Sequence, residues 1–158
     1  MTDLYVDIDT RPVLPQALRA AERYSLDLYI VTRDYLSADA NVHLILAQED
    51  QPNPGFWIAA NICHGDICVT GDIGLATSCT LRGAHSLSPA GRLWGDRSVH
   101  PSALPATPNP RAFAQRLEAV IIAGRAANRL ALASWRGAAH IELGVAMPGP
   151  VLRRASSG

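Results

Sequence analysis

A chain of 158 residues suits one domain with a real core, since proteins of this size bury roughly 70% of their unfolded surface. Its fourteen basic residues, all arginine, cancel fourteen acids, no stretch reaches the ~18 apolar residues of a membrane span, and "MTDLYVDIDT" lacks the basic flank and apolar run of a secretory signal, so a cytoplasmic protein is expected. Cys63, Cys68 and Cys79 are odd in number and form no Cys-x-x-Cys pair, which argues against a disulfide framework or structural zinc and for buried free thiols.

In chain order, "LYVDI" (4–8) reads as a strand covered on both faces. Pro12 suits a first helical turn, and Val13, Leu14, Ala17, Leu18 and Ala21 recur at helical spacing through "VLPQALRAAERY". "LDLYIVT" (26–32) and "VHLILA" (42–47) are strands separated by a polar, turn-like segment. A short helix in "GFWIAANICHG" closes at Gly65, the strand "DICVT" follows, the helix "DIGLATSCTLRG" closes at Gly83, and "AHSLS" is a fifth strand. The alternation predicts an α/β fold, an open and mainly parallel sheet of about five strands with helices on both faces, in a single domain over residues 1–158.

Residues 88–110, crowded with Pro, Gly and Ser, predict a long surface loop. Asn109 and Pro110 supply an N-cap and first turn for a C-terminal helix over 111–136, in which Phe113, Leu117, Val120, Ile121, Gly124 and Ala127 share one face. Arg111, Glu118, Arg125, Arg129 and Arg136 fall near the opposite, solvated face. "HIELGVAMPGPVL" suits a short strand or extended arm, and 153–158 suits a disordered tail. Residues 1–50 hold four Arg against nine acids and residues 111–158 seven Arg against two Glu, so the ends are oppositely charged.

Three acids stand at or beside the ends of two apolar segments: Asp7, Asp9 and Asp72. Asp72 precedes a helix and Asp9 precedes another, and capping alone explains each. Asp7 lies in the apolar segment itself, where an unpaired carboxylate costs several kcal/mol or shifts its pKa. If the strand holding Asp7 neighbours the one ending at Thr70, the three acids converge at the carboxyl edge of the sheet, where open α/β sheets bind ligands, and a hard divalent cation would relieve their repulsion. Caps and a metal site both fit the pattern.

"YVDIDTRPV" resembles the Asp-x-Asp-Ala-Cys-Pro opening of the YaiI/YqxD family, "GDICVTGDIGLA" its Gly-Asp-x-x-x-Thr-x-Asp-Ile-x-Leu-Ala segment, and "RGAHSLSPAG" its Gly-Ala-x-x-Leu-Asn-Pro-x-Gly pattern. The resemblance covers roughly residues 4 to 95. It implies a PIN-like domain, akin to metal-dependent ribonucleases, with Asp7, Asp9, Thr70 and Asp72 as its acidic pocket. Gly55 stands where the family has an acid, Arg11 where it has Cys, Arg33 where it has a short polar residue and Ala90 where it has Arg. Glu49 and Asp50 are candidate substitute ligands.

The resemblance therefore points to a weak Mg²⁺- or Mn²⁺-dependent phosphodiesterase acting on RNA, with Asp7, Asp9 and Asp72 on the metal and Arg11 and Arg33 on phosphates. The alternative, which Gly55 favours, is a degenerate, non-catalytic PIN-like module for nucleic-acid binding or protein interaction; Arg11 and Arg33 are separate candidates for neutralising the acids without a metal. Five scattered histidines show no ligand spacing, Ser86 and Ser88 lack a nucleophile-elbow context, and Trp57 and Trp94 suit packing before base stacking.

Overall fold

The computed structural model describes residues 2–34, 36, 39–48, 50, 53–95 and 107–141, the last six as backbone. Five strands form one sheet: β1 (Leu4–Val6), β2 (Leu28–Thr32), β3 (Val42–Leu46), β4 (Ile67–Val69) and β5 (His85–Leu87). The helices are α1 (Leu14–Tyr24), α2 (Phe56–Asn61), α3 (Ile73–Leu81) and α4 (Pro110–Ile141), and a 3-10 segment over Ile8–Val13 links β1 to α1. Every strand pairing is parallel, in the spatial order β3-β2-β1-β4-β5. The expected α/β class, strand number and chain order are therefore present.

Alternating side chains of the central strand go to opposite faces, as the period of a strand requires. Leu4 and Val6 join Leu28, Ile30, Ile67 and Val69 under α1 and the first turns of α4, where Val13, Ala17, Phe113, Leu117 and Ile121 complete one core cluster. Tyr5 points the other way, with Val31, Cys68, Ile58, Ile62, Leu75 and Cys79 beneath α2 and α3. Trp57 packs here against Tyr5 and Tyr29, whose rings stack at 4.9 Å. All three cysteines are free, and Cys68 and Cys79 are buried.

Several boundaries move for local reasons. β1 stops at Val6, so Asp7 is not inside a strand; it caps the 3-10 segment, its side chain accepting the Ile8 N–H. Pro12 falls in that segment, and Pro15 takes the first turn of α1. α2 ends at Asn61 because Ile62 turns extended, so Gly65 does not close it. Gly83, at φ +85°, does follow the end of α3. The C-terminal helix runs past 136 to Ile141, so His140 and Ile141 belong to helix and not to a strand or arm. Its start is as expected, with Asn109 Oδ1 accepting the Ala112 N–H at 3.1 Å.

Glu118 does not share a solvated face: it is half-buried, accepts the Tyr24 hydroxyl and lies 3.3 Å from the Arg23 guanidinium. Of the expected loop over 88–110, residues 88–95 and 107–109 are described, and Ser88, Ala90 and Gly91 are buried. Residues 96–106 and the predicted tail at 153–158 lie outside the described residues. The chain divides into two compact units, Met1–Ile121 and Ile122–Gly158. Sheet, both core clusters and all candidate site residues belong to the first.

Gly91 lets the segment after β5 approach the first turn of α4, since a Cβ there would lie 2.7 Å from the Ala112 carbonyl carbon, at a φ of +83°. Gly91→Ala is expected to cost about 2 kcal/mol or more in urea unfolding. Gly65→Ala, at φ +84° with open space around it, should cost only about 1 kcal/mol. Equal losses would show that the close approach contributes nothing.

Candidate functional site

The chain reverses its direction of travel across the sheet between β1 and β4: β2 and β3 are added on one side, β5 on the other. Val6 pairs with Val69, so the residues that follow them, Asp7 and Thr70, leave adjacent strand ends at the carboxyl edge. Such a reversal opens a crevice between the diverging connections, the place where open α/β sheets bind ligands. The Asp7 N–H donates to the Val69 carbonyl at 2.9 Å, which ties the two exits together.

Asp7 is only 6% exposed and Thr70 is fully buried. Thr70 Oγ1 donates to Asp7 Oδ2 at 2.8 Å and accepts the Asp72 N–H at 3.0 Å. The other carboxylate oxygen of Asp7 accepts the Ile8 N–H at 2.8 Å. Asp72 caps α3, its Oδ1 accepting the amides of Gly74 (2.8 Å) and Leu75 (3.4 Å). Asp9 is exposed in the first turn of the 3-10 segment. The capping reading of Asp72 is thus observed, and Asp7 is a cap as well, in addition to whatever else these acids do.

Burial pushes the Asp7 carboxyl above the usual carboxylate range; the Thr70 and Ile8 hydrogen bonds pull the other way, and the nearby charges of Asp9 and Asp72 add to the rise. No cation is among the causes. Arg11, expected near the pocket, pairs with Asp34, and Arg33 donates to the Gln48 carbonyl at 2.9 Å. Direct neutralisation of the acids by these two arginines is therefore not the arrangement found among the described residues.

The donors fit some ions better than others. Oxygen is the only ligand type at the pocket, which disfavours zinc, and among the described residues no group of three or more His, Cys, Asp and Glu is gathered closely enough to hold a metal. Mg²⁺ and Mn²⁺ suit such a site, because Mg²⁺ keeps several waters and needs only one or two carboxylates together with substrate phosphates. Of the substitute ligands, Asp50 lines a separate hollow of about 470 Å³ with Gln48 and Trp57, and Glu49 lies outside the described residues. Gly55 caps α2 without a side chain, and a Cβ there would meet Leu75 Cδ2 at 3.0 Å, one turn from Asp72.

A cavity of about 10 Å³ lies on the β2 side of Asp7, lined also by Arg11 and Ile30, and admits one water at most. It also touches Thr32, a residue that pattern reading missed. Thr32 is buried at the end of β2 and its Oγ1 accepts the Asp34 N–H at 3.1 Å, setting the loop that carries Arg33 and Asp34. Its signal was there: a threonine ending an apolar strand, as Thr70 does.

A sequence model described as uncharacterized BCR, YaiI/YqxD family matches residues 5–121. The chain belongs to the YaiI/YqxD family. Relatives in it include UPF0178 proteins of Rhodopseudomonas palustris (strain BisB18), 34% identical over 62% of this chain and 64% of theirs, and of Rhizobium meliloti (strain 1021), 35% identical over 61% and 67%. A third, from Rhizobium etli, is 34% identical over 61% of this chain and 63% of its own length. The match thus spans a little under two thirds of the first of these relatives. No solved structure matches the chain. The YaiI/YqxD match ends at Ile121, where the first compact unit also ends. No helix among the described residues is long and apolar enough to cross a membrane.

A carboxyl whose pKa is raised on folding weakens the fold once ionised, because the native state then binds protons more tightly than the unfolded chain. Wild-type stability is therefore expected to fall as pH rises from the ordinary carboxylate pKa through the raised value of Asp7. Asp7→Asn should melt higher than wild type at pH 7, with the gap closing toward pH 4, in thermal unfolding followed by circular dichroism. An Asp7→Asn protein that is less stable at pH 7 would mean that the ionised carboxylate is compensated.

Proposed function

We propose that Asp7, Asp9, Thr70 and Asp72 form a divalent-cation site of the Mg²⁺ or Mn²⁺ type and that the domain slowly hydrolyses phosphodiester bonds of RNA. One observation carries this reading: a nearly buried carboxylate at the switch point of the sheet, raised in pKa, with two further acids nearby and no cationic partner among the forces acting on it. Keeping such a group costs stability, and a cation would recover it. The resemblance to PIN-like ribonucleases supports the same chemistry.

In this reading Asp7 and Asp72 hold the ion, which when bound stabilises charge at the scissile phosphate. Thr70 fixes Asp7 through its hydroxyl and Asp72 through its backbone, so both acids keep one orientation. Asp9, open to solvent, accepts the proton of an attacking water. Arg11 is exposed on the 3-10 segment after β1 and Arg33 on the loop after β2; both meet phosphate oxygens, Arg11 by leaving Asp34.

Gly55 favours a second reading, a non-catalytic nucleic-acid-binding or protein-interaction module, because the pocket lacks the acid expected beside Leu75. One set of measurements separates the two. Mn²⁺ should raise the melting temperature of wild type over that in chelator, by the equivalent of about 2.7 kcal/mol at a hundredfold excess over Kd. Asp7→Asn should show no such rise and no cleavage of single-stranded RNA. Gly55→Asp should cleave faster than wild type, at a cost of about 1 kcal/mol for moving the Leu75 side chain. Metal-independent melting, with equal cleavage by wild type and Asp7→Asn, would remove the pocket from the chemistry.

A further inference from the structure

The two edges of the sheet are finished differently. The outer edge of β5 is covered by the chain's own return: Leu93 bridges Leu87 in antiparallel sense, Ser88 N–H donates to the Arg92 carbonyl at 2.8 Å and Trp94 N–H to the Ser86 carbonyl at 2.9 Å. β3 has no such cover among the described residues. Its odd-numbered neighbours face β2, since Leu28 N–H donates to the Asn41 carbonyl and Ala47 N–H to the Thr32 carbonyl. In a strand the N–H and C=O of one residue point to the same side and alternate along the chain. His43 and Ile45 therefore bond β2 as well, and Val42, Leu44 and Leu46 turn their backbone groups outward. The Val42 N–H is taken by the Asp39 carbonyl at 3.0 Å; the amides of Leu44 and Leu46 have no partner among the described residues.

An open edge normally carries a guard such as a charge, a proline or a bulge. "VHLIL" has neither charge nor proline, its five-residue register with β2 is unbroken, and Leu46 is 56% exposed. We propose that β3 is a dimerisation edge, pairing antiparallel with β3 of a second copy of this chain about a two-fold axis through Leu44.

The strand is self-complementary in that arrangement. Leu44 N–H meets the Leu44 carbonyl of the second copy in both directions, and Leu46 N–H meets its Val42 carbonyl in both directions. The Val42 N–H, already satisfied by Asp39, falls at the rim, where the opposing Leu46 carbonyl is open to water. Side chains agree with the backbone: Leu44 lies beside its own copy, Leu46 beside Val42, and His43 beside Ile45, so no like charges oppose one another. An unrelated peptide would need an apolar strand of matching register, which the second copy supplies by symmetry. The contact is one strand long, about 17 Å, so the dimer should dissociate on dilution.

Sedimentation equilibrium of the full chain over a wide concentration range tests this, with amide exchange read in the same samples. A reversible dimer is expected, in which the Leu44 and Leu46 amides gain protection with concentration while His43 and Ile45 are protected throughout. Leu44→Pro removes an outward donor together with a side chain that packs against the core, and Leu46→Lys adds a charge at an exposed position; each folded variant should weaken the dimer about tenfold or more, Leu46→Lys with the circular dichroism spectrum unchanged. Should one variant fail to fold, the other and the wild-type exchange pattern still decide. A chain that stays monomeric, a dimer undiminished by the folded variants, or Leu44 and Leu46 amides already protected in the monomer by another part of the chain would each overturn the proposal.

Discussion

The pairing of β1 with β4 governs everything at the candidate site. Because the chain adds strands on one side of β1 and later on the far side of β4, these two neighbours send their connections apart, and their carboxyl ends are left side by side. The register Val6↔Val69 then decides which residues meet. A slip of one residue would carry Asp7 away from Thr70 and turn Tyr5 and Cys68 into the wrong core cluster. The packing of both faces thus holds the acids in place.

Thr70 converts that register into a local polar network. Its hydroxyl has one proton and donates it to Asp7, and its oxygen accepts the amide of Asp72, so one buried side chain addresses both acids. Replacing it by valine would keep the shape and leave the Asp7 carboxylate with the Ile8 amide as its remaining donor among the described residues. The opposing effects on Asp7 are not balanced: burial raises its pKa and two hydrogen bonds only partly resist. Ionised Asp7 therefore costs stability at neutral pH although it caps a turn; Asp72, whose oxygen caps α3, is exposed.

The sheet and its strand order along the chain were legible because fully buried parallel strands are short apolar runs, and the runs at 4–6, 28–32, 42–46, 67–69 and 85–87 are separated by turn signals. The site was legible to the extent that a threonine and an aspartate end two such runs. The ends of elements were not, because they depend on contacts far away in sequence. Asp7 looked like strand because Ile8 after it is apolar, yet Ile8 opens a 3-10 turn that Thr10 secures by donating to the Asp7 carbonyl. Glu118 looked like solvated surface by helical spacing, and only the packing of α1 against α4 shows that Tyr24 and Arg23 reach it. The partners of Arg11 and Arg33 were equally hidden, since Asp34 and Gln48 sit on loops whose paths no periodicity encodes.

Scaffold and site consequently depend on different residues. The positions that resemble the YaiI/YqxD pattern most closely are those that place the carboxylates: Thr70 and Asp72 at the β4 exit, Asp7 at the β1 exit, and Gly91, without which the first turn of α4 could not close over the core. The positions that depart from it, Gly55, Arg11 and Arg33, lie on loops and at a helix start around that frame. Gly55 leaves no side chain where a Cβ would touch Leu75, and the two arginines are engaged elsewhere, so none of the three disturbs the hydrogen bonds of Asp7. The register of β1 with β4 and the Thr70 hydrogen bonds thus keep Asp7 and Asp72 in place whatever stands at these three positions, and the charge around the acids is set separately from their geometry.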